Sequence, residues 1–232
     1  MKSLPLALAC CLLAAVTSIS AAASEPAVSK YTEHSTTLNI EASWQRFGMA
    51  LPDEASDSLV QDAVKTFRAL AQEEYLALEE LRKSDPDFVQ HPYEMALTGT
   101  ISGNGKTAAV LWQVYQYLGG AHGNLAVIAQ NYTVPEGRAF DLADLFAKPD
   151  TALRLLSEQA RRELLGRGLP PDMVTPGTEP EPENFQTFLL TADGITLYFS
   201  PYQVAPWSEG VVTVTLPIDS LADAAPHAEY WK

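Results

Sequence analysis

The chain has 232 residues, with 15 Lys plus Arg against 29 Asp plus Glu, and its formal net charge of −14 opposes binding to phosphate backbones or anionic membranes. That balance excludes a nucleic-acid binder and favours basic partners or cationic ligands. The charge also serves solubility whatever the function.

The first residues carry Lys2, an apolar run from Leu4 to Val16 and the small-residue stretch Ala21-Ala22-Ala23, the pattern of a cleavable secretory signal covering 1–23. The run is too short for a membrane-spanning helix, and no later segment is apolar for long enough, so no integral membrane segment is expected. Leu8-Ala9-Cys10 resembles the end of a lipobox, but too few residues precede Cys10 for a charged start and an apolar core. Removing 23 residues from 232 leaves 209, enough for one domain with a substantial core. Both cysteines, Cys10 and Cys11, leave with the signal, so the expected mature product, 24–232, uses neither disulfides nor thiols and is periplasmic or extracellular.

A short polar lead precedes Thr37 to Phe47, where Leu38, Ile40, Ala42 and Trp44 alternate with polar residues as in a half-buried strand. Leu59, Val60, Ala63, Phe67, Leu70, Tyr75, Leu78 and Leu81 then recur at helical spacing, ending before Pro86. Tyr93 to Ile101 and Thr107 to Leu118 flank the turn Ser102-Gly103-Asn104-Gly105 and predict a hairpin. After the glycine-rich break 119–124, Leu125 to Val134 predicts a third strand. Phe140 to Phe146 reads as a short helix and Thr151 to Gly166 as a longer one. From Gly168 to Glu183, prolines and acids predict a loop without regular structure. Phe185 to Leu190 and Ile195 to Phe199 predict another hairpin, and Val211 to Leu216 a last strand. The expected architecture is α+β, helices packed on a mainly antiparallel sheet in a single compact unit.

Chemistry-bearing motifs are sparse. His122 lies in Gly119-Gly120-Ala121-His122-Gly123-Asn124, a loop where backbone can approach a ligand, but no second ligand stands at metal spacing and a structural role is favoured. Glu73-Glu74 and Glu79-Glu80 are helix neighbours that cannot face each other as an acid/base couple. Asp141 and Asp144 suit the start of a helix. The sequence has neither G-x-S-x-G nor S-x-x-K, and no P-loop or dinucleotide fingerprint, so no cofactor and no enzymatic activity are expected, with an unrecognised hydrolase as the alternative. Tyr198 to Gly210 interrupts the strands with aromatics and two prolines. Such a stretch is either a recognition surface or a packed corner.

The order Tyr117 to Asn124, Phe140 to Phe146, Phe185 with Asp193 to Phe199, and Pro201 to Gly210 resembles the RsiV-type domain of unknown function 3298. The segment of about 30–101 is similar to the PdaC-type domain of unknown function 4163 that commonly precedes it, leaving about 102–221 for the RsiV-type part. The family occurs on exported bacterial proteins: the extracytoplasmic part of a lysozyme-binding anti-sigma factor and the non-catalytic part of peptidoglycan deacetylases. The resemblance implies a cell-envelope binding module for a basic lysozyme-like protein, or alternatively for peptidoglycan fragments. Neither the anti-sigma segment nor the deacetylase catalytic domain has a counterpart in this sequence. The expected contact residues are Gly120, His122, Asn124, Pro201, Tyr202, Pro206, Trp207 and Glu209.

Cleavage after Ala23 predicts a mature N-terminus at Ser24 and a net charge of −15, because Lys2 is the only charge removed. Intact-mass measurement of the exported product checks this. A retained Met1 or a lipid-modified Cys10 contradicts it.

Overall fold

The computed structural model describes residues 26–85 and 87–231. The expected leader, with Cys10 and Cys11, lies outside the described residues.

The N-terminal lobe is a six-stranded sheet. Its strands are β1 (Val28–His34), β2 (Leu38–Gln45), β3 (Tyr93–Gly103), β4 (Thr107–Tyr117), β5 (Asn124–Thr133) and β6 (Ala139–Phe140), arranged in sequence order. All neighbouring pairs are antiparallel except β2 with β3, which the helices α1 (Ala50–Ala77) and α2 (Glu79–Ser84) connect as a crossover. Asp53 fixes the entry to α1 by accepting the Phe47 and Gly48 backbone N–H groups at 2.8 and 3.1 Å. Pro52, Ser56, Val60, Val64, Phe67 and Ala71 form one buried stripe on α1. That stripe packs on Ile40, Trp44, Met95, Leu97, Val110 and Trp112 from the facing side of the sheet.

The C-terminal lobe has its own core. Helix α3 (Pro149–Gly166) buries Ala152, Leu156, Ala160 and Leu164 against a three-stranded antiparallel sheet of β7 (Phe188–Leu190), β8 (Gly194–Phe199) and β9 (Val212–Pro217). The sheet face opposite α1 receives this lobe, and Ala109, Val127 and Asn131 are buried there. Two asparagine side chains tie the lobes together. Asn104 donates to the Thr191 and Tyr230 carbonyls at 3.2 and 2.9 Å, and Asn131 to the Phe188 carbonyl at 3.2 Å. The expected α+β architecture, with helices on a mainly antiparallel sheet in one compact unit, is what the chain adopts.

Four local expectations change. The polar lead is strand β1, whose residues are exposed or only half-buried, so an edge position left no apolar alternation to detect. Phe140 to Phe146 is not a helix. It is the short strand β6 followed by a 3₁₀ turn, Ala143–Leu145, in which Asp141 accepts the Ala143 N–H and Asp144 accepts the Asp141 N–H. Phe185 ends a second 3₁₀ turn instead of opening β7.

The stretch from Gly168 to Glu183 is not devoid of regular structure, because it contains α4 (Pro171–Gly177). Pro171 opens that helix, where no amide proton is needed, and Pro176 falls in its last turn. Val174 of α4 is buried in the same core as Leu156 and Leu164 of α3, and side-chain bonds add to that contact. Ser157 donates to the Thr178 carbonyl at 2.5 Å, and Arg161 reaches Thr178 Oγ1 at 3.0 Å and the Thr175 carbonyl at 3.1 Å.

Arg68 of α1 bonds Glu33 and Tyr31 of the edge strand at 2.5 and 2.6 Å. The Arg68 hydrogen bond holds the Glu33 carboxyl below the usual carboxylate range, so this tie is complete at neutral pH and lost as acid protonates Glu33.

Gly99 shows how closely the first core is filled. A Cβ there would stand 2.7 Å from the Trp112 ring and 2.9 Å from Trp44 Cβ. Gly99→Ala should therefore lower unfolding free energy by about 1 to 3 kcal/mol, as overpacking does. Urea denaturation followed by tryptophan fluorescence measures it, and an unchanged midpoint would contradict the packing described.

Candidate functional site

The two loops singled out in the sequence meet at one end of the sheet. Between Asn124 and Gln130, β5 has no strand on its outer side among the described residues, since β6 pairs only with Asn131 and Tyr132. The backbone of Val127 is satisfied by side chains instead. Its N–H donates to Ser200 Oγ at 3.1 Å, and its carbonyl accepts from Thr187 Oγ1 at 3.3 Å. Ser200 is the residue at which β8 gives way to the aromatic loop, so this contact starts that loop beside β5 and the glycine-rich turn before it.

The aromatic loop has a buried middle and projecting flanks. Val204 and Ala205 are buried, the Tyr202 N–H closes onto the Ala205 carbonyl at 2.9 Å, and Gln203 donates to the Gly177 and Asn184 carbonyls at 3.3 and 3.0 Å. A Cβ at Gly177 would overlap the Gln203 carbonyl, so α4 must end in glycine for the loop to seat. The packed-corner reading describes the middle of this stretch, and its flanking aromatics reach the surface. Val204 and Ala205 plug a packed corner, and Tyr202 and Trp207 face outward.

Tyr202 is 52 % exposed and has φ +72°, a left-handed conformation that costs a tyrosine backbone strain. Its ring lies beside His122. His122 and Trp207 stack with centroids 5.0 Å apart and planes 19° from parallel. Tyr202 lies 6.3 Å from both rings, and its hydroxyl meets His122 Nε2 at 3.2 Å. His122 Nδ1 faces the Gly123 carbonyl at 2.8 Å. A carbonyl only accepts, so Nδ1 carries a proton and Nε2 is left to accept from the Tyr202 hydroxyl when the ring is neutral. Gly123 is buried against Tyr115, whose ring occupies the space a Cβ would need.

Beside this platform lies an open groove of about 440 Å³, walled by His91, Glu94, Tyr115, Tyr117, His122 and Trp207. Of the eight expected contact residues, the fold brings His122, Tyr202 and Trp207 into one cluster. Glu209 and Pro206 are exposed in the turn that carries Trp207, and Pro201 is half-buried beside Tyr202. Gly120 is exposed in the turn and Asn124 is exposed at the start of β5, paired with Gln116; neither walls the groove. Sequence reasoning missed Tyr115, Tyr117, Glu94 and His91. Tyr115 and Tyr117 sit at alternate positions on the face of β4 opposite Trp112, so a tyrosine pair on the polar face next to a glycine turn was the available signal.

Among the described residues, no three His, Cys, Asp or Glu side chains converge as a metal site, and no helix is long and apolar enough to cross a membrane. The hydroxyl in contact with His122 is the phenol of Tyr202.

Comparison with known proteins bears on both lobes. Residues 143–219, which lie in the C-terminal lobe and include the aromatic loop, match the family described as "Protein of unknown function (DUF3298)". The glycine-rich turn lies ahead of that match. The chain is 32 % identical over 121 residues to the peptidoglycan-N-acetylmuramic acid deacetylase PdaC of Bacillus subtilis, a match covering 51 % of this chain and 26 % of that protein. It is 26 % identical over 138 residues to the esterase Rv3036c of Mycobacterium tuberculosis, covering 58 % and 61 % respectively. The chain thus spans about a quarter of the first relative and three fifths of the second. A crystal structure of a DUF3298 family member from Bacteroides fragilis shares the fold with a TM-score of 0.59 at 15 % identity, over 88 % of this chain and 94 % of that one.

The platform predicts that His122→Ala leaves the core intact but frees Trp207. Tryptophan emission should shift to the red, with a stability loss of about 0.5 to 1.5 kcal/mol, the worth of an aromatic pair. Fluorescence together with thermal unfolding checks it. An unchanged emission spectrum would show that the rings do not stack.

Proposed function

We propose that the chain is an exported cell-envelope binding module and that the Tyr202, His122 and Trp207 platform holds a basic lysozyme-like protein. The carrying observation is the platform itself, in which rings from two separate loops stack on one another in an exposed position. Rigid aromatics of this kind anchor partners at small entropic cost. Glu94 and Glu209 stand beside the rings, and the net charge of −15 expected after cleavage steers a basic partner toward them. The DUF3298 match and the relation to a peptidoglycan deacetylase support a role at the cell wall. A binding role also fits the chemistry, since His122 already uses Nδ1 on a carbonyl and Nε2 on a phenol.

A peptidoglycan fragment is the second reading. It is favoured by the nearly parallel His122 and Trp207 planes beside Tyr115 and Tyr117, a surface on which sugar rings stack, and by the substrate named for the Bacillus relative. The two readings differ in salt dependence. A basic protein steered by charge associates more slowly as salt screens the field over about 8 Å at physiological ionic strength, whereas a neutral glycan does not respond.

Trp207→Ala should raise the dissociation rate and cost about 2 kcal/mol of binding free energy if Trp207 is a central anchor. Surface resonance against hen-type lysozyme and against uncharged oligosaccharides of N-acetylglucosamine, at low and physiological salt, measures this, with circular dichroism confirming the fold. A folded variant that binds both ligands as the wild type does would remove the platform from the site.

A further inference from the structure

A second surface crosses both lobes away from the aromatic platform. Three depressions run into one another because they share walls. The first, of about 600 Å³, lies between α1 and the strands β4 and β5, where Leu59, Asp62, Val114 and Ile128 line it. It shares Ala55 and Gln130 with a second, of about 670 Å³, beside Leu51, Glu136 and Arg138. The second shares Asp141 and Gln186 with a third, of about 300 Å³, closed by Leu153, Pro182 and Glu183. None of His122, Tyr202 and Trp207 lines any of them.

The groove exists because α1 packs over β2 and β3 and leaves the same face of β4 and β5 partly open. Two large apolar side chains therefore stay in water, Leu51 at 62 % and Ile128 at 40 % exposure. Carboxylates are spaced along its whole length, with Asp62 in the first depression, Glu136 and Asp141 in the second, and Glu183 in the third. Arg138 is the single opposing cation among the described lining residues. Amides stand at both junctions. Gln130 accepts from Trp112 Nε1 at 3.0 Å, which leaves its NH₂ to donate outward, and Gln186 is exposed.

We propose that this groove binds an extended peptide segment carrying lysine or arginine side chains. A compact ligand would fill one depression and ignore the others, and an anionic polymer would meet four carboxylates against one arginine. An extended cationic peptide matches all three features. Its basic side chains meet the spaced carboxylates, its apolar ones cover Leu51 and Ile128, and its backbone carbonyls accept from Gln130 and Gln186. The site is independent of the aromatic platform, and either can fail without the other.

The probe is a fluorescein-labelled peptide of alternating lysine and leucine, titrated with the full exported protein by fluorescence anisotropy at physiological salt. One variant, Asp62→Asn with Glu136→Gln and Glu183→Gln, neutralises the groove. A matched variant, Glu41→Gln with Glu94→Gln and Glu209→Gln, removes equal charge from the opposite sheet face and the platform. The groove variant should weaken binding about tenfold or more, and the matched variant should stay within about twofold. Ile128→Asn should weaken binding with its salt dependence unchanged, separating the apolar contact from the charge. Equal weakening by the two charge variants would mean that net charge alone holds the peptide. Greater weakening by the matched variant would place it on the platform. Either result, an unaffected Ile128→Asn, or no saturable binding by the wild type overturns the proposal.

Discussion

The pairing of Val127 with Ser200 and Thr187 decides where everything else at the site can be. A strand edge carries N–H and carbonyl groups that must find partners, and at Val127 the C-terminal lobe provides them through two hydroxyls. The contact is between residues 73 and 60 positions apart, and it pins the point at which the aromatic loop leaves β8. With that point fixed beside β5, the loop has little choice of neighbour. The glycine-rich turn entering β5 is within reach, and His122 is the aromatic ring it presents.

The platform then rests on compensation between strain and packing. Tyr202 holds a left-handed backbone, of the kind that costs about 1 to 3 kcal/mol, and the surrounding loop enforces it. Val204 and Ala205 bury themselves, Gln203 bonds two carbonyls from the α4 region, and the Tyr202 to Ala205 backbone bond closes the turn. Gly177 and Gly123 work by absence, one admitting the Gln203 carbonyl and the other the Tyr115 ring. Rings held this way lose little freedom on binding, which is the property a recognition surface needs.

Much of the fold was legible because the large elements bury one face. The α1 stripe follows helical spacing, and β3, β4 and β5 alternate across a clear turn at Asn104. What escaped has few apolar residues to read. Strand β1 is an edge with polar residues on both faces, β6 is two residues long, and α4 buries Val174 and is bonded through Ser157, Arg161 and Thr178 where its prolines argued for a loop. The site followed the same division. His122, Tyr202 and Trp207 stood out as aromatics among glycines and prolines and were expected as contacts of one partner, while their stacking on one another was not read from the sequence. Tyr115, Tyr117 and Glu94 come from ordinary strand positions, and only the pairing of β3 with β4 places Glu94 across from Tyr117 beside that cluster.

The central claim is that two sequence-distant loops form one energetically coupled platform. A double-mutant cycle on unfolding free energy, comparing His122→Ala, Trp207→Ala and the double variant, isolates that coupling from the individual contributions. The stacked geometry predicts a coupling of about 0.5 to 1.5 kcal/mol favouring the pair. Strict additivity of the two substitutions would show that the loops are merely adjacent, and would contradict the account.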